Sequence, residues 1–113
     1  RALRERGAVE SVVGCGRDRG NLERALELGV IDAWTHDPLE AVRGADIVVV
    51  AVTLGATADI LARIAPGLSP QAIVTDVGSA KRCVIDAARA QLPSQLPRFV
   101  AGHPIAGAER SGV

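Results

Sequence analysis

Apolar residues fill every position from Ile47 to Leu54 except Thr53. A strand half in water alternates apolar and polar residues, whereas an unbroken run argues for burial on both faces of a parallel sheet. A strand over residues 46–53 is therefore expected. Shorter runs predict strands over 9–15, 72–77 and 99–102, with a weak extended piece over 30–35. Between these runs the apolar spacing changes to that of a helix. Leu22, Ala25 and Leu26 fall on one face and Glu23 and Glu27 on the other, which predicts a helix over 21–28 with Asn21 as its N-cap. Ile60, Leu61 and Ile64 predict a helix over 55–65, and Val84, Ile85 and Ala88 one over 79–92. Asp37 followed by Pro38 reads as the cap and first residue of another helix, ending at Gly44. Residues 1–6 are helix formers, with Gly7 as a C-terminal cap.

Strands and helices thus alternate at least four times, the signature of an α/β fold built on a parallel sheet. The chain opens inside a helix, with no cap before it and no initiating Met, so a partial domain is expected.

Composition narrows the chemistry. Aromatics are 2% of the 113 residues, so the core must be built from Val, Ile, Leu and Ala. Thirteen basic residues balance thirteen acidic ones, with no basic stripe, which argues against a nucleic-acid partner. The longest apolar run is too short to span a bilayer, and the charged start is no signal peptide. Neither a membrane partner nor export is expected, and a cytoplasmic location follows. Cys15 and Cys83 are far apart in sequence, which disfavours a disulfide framework or a zinc site. No metal is expected, and both thiols are read as small packed apolar groups.

In an open parallel sheet, ligands bind at the carboxyl ends of the strands. Four such tips carry glycines or polar residues: 14–18, 52–55, 76–81 and 103–107. The first, G-C-G-R-D-R-G, is one residue too long for the phosphate-binding G-x-G-x-x-G pattern. It reads better as the end of a second strand, where a side chain meets the adenosine ribose. An acid there accepts from a 2′-hydroxyl, whereas an Arg favours a 2′-phosphate. Gly16, Arg17 and Asp18 leave that choice open, as they do a plain solvated turn. Val52 and Thr53 end the clearest strand. In D-V-G-S-A-K, Asp76, Gly78 and Ser79 stand at a strand-to-helix turn whose N–H groups face any bound anion. The alternative for Ser79 is a cap of its own helix, and Lys81 is either solvated or paired with Asp76. The last tip, G-H-P-I-A-G-A-E-R-S-G-V, sets His103 after a strand and before Pro104 in a glycine-rich loop, the setting of an exposed functional imidazole. His36 lacks that context and is read as a surface residue.

At this last motif the sequence resembles the prephenate dehydrogenase family. G-H-P-I-A-G with Glu109, Ser111 and Gly112 behind it is similar to that family's loop for substrate and nicotinamide. D-V-G-S-A-K, L-G-V-I-D and A-D-I-V-V-V-A-V follow the same order and spacing. The resemblance implies a nicotinamide cofactor, NAD or NADP, and a small-molecule substrate, prephenate or arogenate. The reaction is oxidative decarboxylation, which turns prephenate into 4-hydroxyphenylpyruvate in tyrosine biosynthesis. It implies that His103 takes the ring hydroxyl's proton and that Ser79 orients hydroxyl and nicotinamide. Glu109, Gly107 and Ser111 would contact the substrate. Gly16, Arg17, Asp18, Val52, Thr53, Asp76, Gly78 and Pro104 would contact the cofactor.

The sequence departs from the family in two ways. Gly16 stands where the family often has an acid, which makes NADP more plausible. The first strand and its glycine-rich loop are missing, as is the helical C-terminal domain through which the parent protein would form a homodimer. The expected fold is an incomplete Rossmann-type, doubly wound parallel sheet over residues 1–113. Its edges would be exposed, so the isolated piece is expected to be marginally stable and inactive. Rival readings are a β-hydroxyacid dehydrogenase, a pyrroline-carboxylate reductase, or a non-catalytic nucleotide-binding fragment.

Overall fold

A computed structural model describes residues 2–103. They form a mixed α/β arrangement with only parallel strand pairs among the described residues. The described residues divide into two compact units, one up to Ala41 and one beginning at Val42.

The first unit contains α1 (Ala2–Glu5), β1 (Val13–Cys15), α2 (Arg19–Glu27), β2 (Ala33–Thr35) and α3 (Pro38–Ala41). Strands β1 and β2 pair in parallel, with Gly14 opposite Trp34. Helix α2 buries Leu22 and Ala25 against Ile31. Leu26, expected inward, is 42% exposed. The helix begins two residues earlier than its apolar face suggests. Asp18 is the N-cap and accepts a hydrogen bond from the Asn21 amide at 2.9 Å, so Asn21 is the capped residue and not the cap. Gly29 ends the helical stretch with a φ of 64°, a conformation costly for any residue with a Cβ. Asp32 holds the strand pair to the start of the unit. One carboxylate oxygen accepts from Arg4 at 2.5 Å, and the other from the Val12 amide at 2.8 Å. The Val12 N–H, then the Arg4 guanidinium, hold its carboxyl below the usual range.

The second unit contains β3 (Ile47–Val50), α4 (Leu54–Ile64), β4 (Ile73–Asp76), α5 (Lys81–Gln91) and β5 (Phe99–Val100), with short 3-10 turns at Ala65–Gly67 and Leu96–Arg98. The strand order is β3-β4-β5. Val50 pairs with Asp76, and Thr75 with Val100. Alternate residues of β3 and β4 point to opposite faces. Val50 and Val74 pack with Leu61 and Ile64 of α4 and with Ala88 of α5, in a core that also contains Val42 and Leu92. Leu61, Val74 and Ala88 have no exposed surface.

The expectation that β3 is buried on both faces is not met. Both helices cover the face that bears Val48 and Val50. On the opposite face Ile47 is 57% and Val49 54% exposed. The two cysteines depart from the expectation of packed apolar groups, since both are exposed. Every observed strand is shorter than the stretch expected for it: β3, β4 and β5 stop earlier, whereas β1 and β2 keep their expected ends and begin later.

The carboxyl rims of the two sheets

The three parallel strands of the second unit end on one rim, and Asp76 organises it. This carboxylate closes β4 and is 3% exposed. One oxygen accepts from the Gly78 amide at 2.8 Å and from the Lys81 ammonium at 2.5 Å. The other accepts from the Gly102 amide at 3.1 Å. Lys81 also donates to the Gly102 carbonyl. Burial alone would push the Asp76 carboxyl up. The Lys81 ammonium and the two backbone N–H groups outweigh that and hold it below the usual carboxylate range. Of the two readings of Lys81, solvated or paired with Asp76, the pair is the one present. It answers why a cation stands in the first turn of α5, where the helix dipole disfavours one.

Gly102 is the residue that sequence reasoning missed. A Cβ there would run into the carbonyl oxygen of Asp76 and come within 3.2 Å of the Thr75 hydroxyl. Thr75 donates that hydroxyl to the Val100 carbonyl at 2.7 Å. Backbone and side-chain bonds thus lock the ends of β4 and β5 together at a point only glycine can occupy. His103 follows directly and is exposed.

Ser79 lies between Gly78 and the start of α5 and is exposed. It does not cap the helix; Ala80 holds the N-cap position, without a side-chain hydrogen bond. At the end of β3, Val52 is 37% exposed. Thr53 is the N-cap residue of α4 and likewise makes no side-chain cap bond. A Cβ on Gly55 would meet nothing within 4 Å. Of the first amides of α4, that of Ala56 donates to the Thr53 carbonyl at 2.9 Å; a helix start of this kind suits an anionic group. Pro104, Gly107, Glu109 and Ser111 lie outside the described residues.

The first unit has its own rim, at the ends of β1 and β2. His36 Nδ1 lies 2.6 Å from the Gly16 carbonyl oxygen. A carbonyl cannot donate, so Nδ1 carries the proton. The imidazole and the Trp34 ring meet edge to face, with ring centroids 5.2 Å apart. The Arg19 guanidinium lies 5.9 Å from the Trp34 ring centre and pairs with Glu23 at 2.7 Å. His36 is exposed, as expected, but it ties two strand ends together, a role with no sequence signal. Arg17 is exposed.

Among the described residues, no group of three His, Cys, Asp or Glu residues is arranged to hold a metal ion. No described helix is long and apolar enough to cross a membrane.

The family model described as the prephenate dehydrogenase nucleotide-binding domain matches residues 1–113. The prephenate dehydrogenase of Bacillus subtilis is 34% identical over 113 residues, covering 99% of this chain and 30% of that protein. A crystal structure of prephenate dehydrogenase from A. aeolicus, in complex with hydroxyphenyl propionate and NAD+, superposes with a TM-score of 0.83 at 31% identity. The match covers 98% of this chain and 38% of that one. Synechocystis arogenate dehydrogenase gives a TM-score of 0.84 at 31% identity, covering 97% of this chain and 37% of that one. The chain spans about a third of the length of these relatives.

Proposed function

Because this chain belongs to the prephenate dehydrogenase family, in its nucleotide-binding domain, we propose that it forms the cofactor half of an enzyme that oxidatively decarboxylates prephenate. A nicotinamide dinucleotide, when bound, supplies the hydride acceptor. The protein's own task is to hold the substrate's ring hydroxyl and remove its proton. His103 does this: a neutral imidazole accepts the proton as hydride leaves the same carbon. Loss of carbon dioxide then makes the ring aromatic. Ser79 orients the hydroxyl from the neighbouring tip, while Gly107, Glu109 and Ser111 contact the substrate. Asp76, Gly78 and Pro104 would help hold the dinucleotide, as would Val52 and Thr53 at the end of β3. Gly16, Arg17 and Asp18 receive its adenosine ribose.

The observation that carries this reading is the Asp76 clamp. Asp76 accepts from the Gly102 amide, and its partner Lys81 donates to the Gly102 carbonyl, so the residue after Gly102 starts from a doubly bonded point. A general base needs that precision, because misplacement by about 1 Å costs roughly a hundredfold in rate. Arogenate is the second reading, supported by the likeness to the Synechocystis arogenate dehydrogenase. The test is His103→Asn in the full protein, assayed with both substrates. Turnover should fall by at least about a hundredfold, with dinucleotide binding retained. Unimpaired turnover with either substrate would remove His103 from the mechanism, and the preferred substrate of the unaltered protein decides between the two readings.

A further inference from the structure

We propose that the second unit carries a binding site for a small uncharged molecule at the end of its sheet away from the carboxyl rim, with the amide oxygen of Gln95 as the acceptor. The site takes a compact apolar body that bears an N–H or O–H donor, such as a primary amide. It does not rest on the dinucleotide reading above.

Helices α4 and α5 each run back from the carboxyl end of one strand to the amino end of the next, so both end opposite the rim. Residues from these two returns wall a cleft of about 300 Å³, at the lower end of the range for small-molecule sites, roughly 300–1,000 Å³. Leu68 and Leu92 give it apolar walls, and each return adds a proline, Pro70 and Pro93. A proline holds its own φ, so these walls lose little freedom when the cleft is filled.

Gln95 supplies the polar group. It is 8% exposed, and its side-chain nitrogen donates to the Ser69 carbonyl at 2.8 Å. A carbonyl only accepts, so the amide cannot be turned over, and its oxygen faces away from Ser69. That oxygen accepts from no described residue. Among the described residues no sealed side-chain oxygen or nitrogen lacks a partner, so this oxygen reaches open space. The cleft that Gln95 lines is where it faces. A donor that meets it costs the side chain no further freedom, since Gln95 is already held.

The charge pattern decides which class of molecule fits. No lining residue is charged; besides Gln95 the polar ones are Gln91 and Ser94. Two helices end here, and the outward carbonyls of a helix end carry partial negative charge. Donors are favoured and anions repelled, while a cation would leave water with no carboxylate to pair with. The cleft is therefore unsuited to a dinucleotide or to a carboxylate-bearing substrate.

Cyclohexanecarboxamide serves as the probe, and cyclohexanecarboxylate, of the same shape but charged, as its control. Ligand-observed NMR titration of the full protein should give a dissociation constant on the order of 1 mM for the amide, in keeping with its size. The carboxylate should bind at least about tenfold more weakly. Gln95→Met removes the acceptor and should weaken binding of the amide about fivefold. Ser94→Trp, at an exposed position, fills the cleft and should abolish it. Circular dichroism checks the fold of both variants, and if Gln95→Met unfolds, Ser94→Trp decides. Absence of amide binding, equal affinity for the carboxylate, or unchanged binding in either folded variant would overturn the site.

Discussion

Lys81 reaches from the first turn of α5 to the carboxylate of Asp76 at the end of β4, 2.5 Å away, on a side chain 24% exposed against one 3% exposed. Removing one member of so buried a pair strands the other's charge, which costs more than the pair itself contributes. Lys81→Met should therefore destabilise the protein by about 3 kcal/mol. Asp76→Asn together with Lys81→Met should cost less than Lys81→Met alone, because no charge is then left unpaired. Denaturant titration of the single and double variants measures both, and a double variant worse than the single one would contradict the assignment.

The same carboxylate gives stability a dependence on pH. Its folded-state pKa is held below the unfolded value. The unfolded chain therefore binds the proton more readily than the folded one, and acid favours unfolding. The contribution is complete above the unfolded carboxyl's value of about 4. It is lost as pH falls through the lower folded value. Asp32, also held below its usual range, adds to the effect in the same direction. Unfolding free energy measured from pH 7 downward should hold level and then fall below about pH 4. Asp76→Asn should make that fall shallower.

Two glycine-to-alanine replacements should separate sharply. Gly102→Ala drives a methyl into the Asp76 backbone carbonyl, which cannot rotate away. A cost of about 2 kcal/mol or more is expected, as in other overpacked sites. Gly16→Ala meets only ordinary contacts, and its effect should stay within about 0.5 kcal/mol. Equal midpoints for the two variants in urea would refute the packing described at Gly102.

His36→Ala removes the donor to the Gly16 carbonyl and the ring against Trp34. The cost should be about 1 kcal/mol, that of an exposed hydrogen bond and a ring contact. Trp34 fluorescence should change as the ring contact is lost, and an identical emission spectrum would argue against the contact.

The order and type of the elements were legible because their causes are local. Apolar runs marked β3 and β4, and three-and-four spacing marked α4 and α5. Strand ends were less legible. A run of Val and Ala reports hydrophobicity, whereas a strand ends where its partner ends: β3 stops at Val50 because Asp76 closes β4 opposite it. The cap of α2 was misassigned because Asp18 and Asn21 are both good capping residues, and only geometry shows which one accepts. The pairing of Lys81 with Asp76 could be read because five residues separate them. Gly102 could not, since its constraint comes from a carboxylate and a carbonyl 26 residues away in the chain. His36 escaped for the same reason, being matched to a carbonyl 20 residues distant.

The uncovered face of β3 governs how this chain behaves in concentrated solution. Ile47 and Val49 keep water against side chains that gain free energy by leaving it, and sulfate enlarges that gain because it is excluded from the protein surface. Salting-out should therefore begin at this face, with molecules adhering while still folded. A polar replacement such as Val49→Thr should raise the sulfate concentration the protein tolerates and leave the rim untouched.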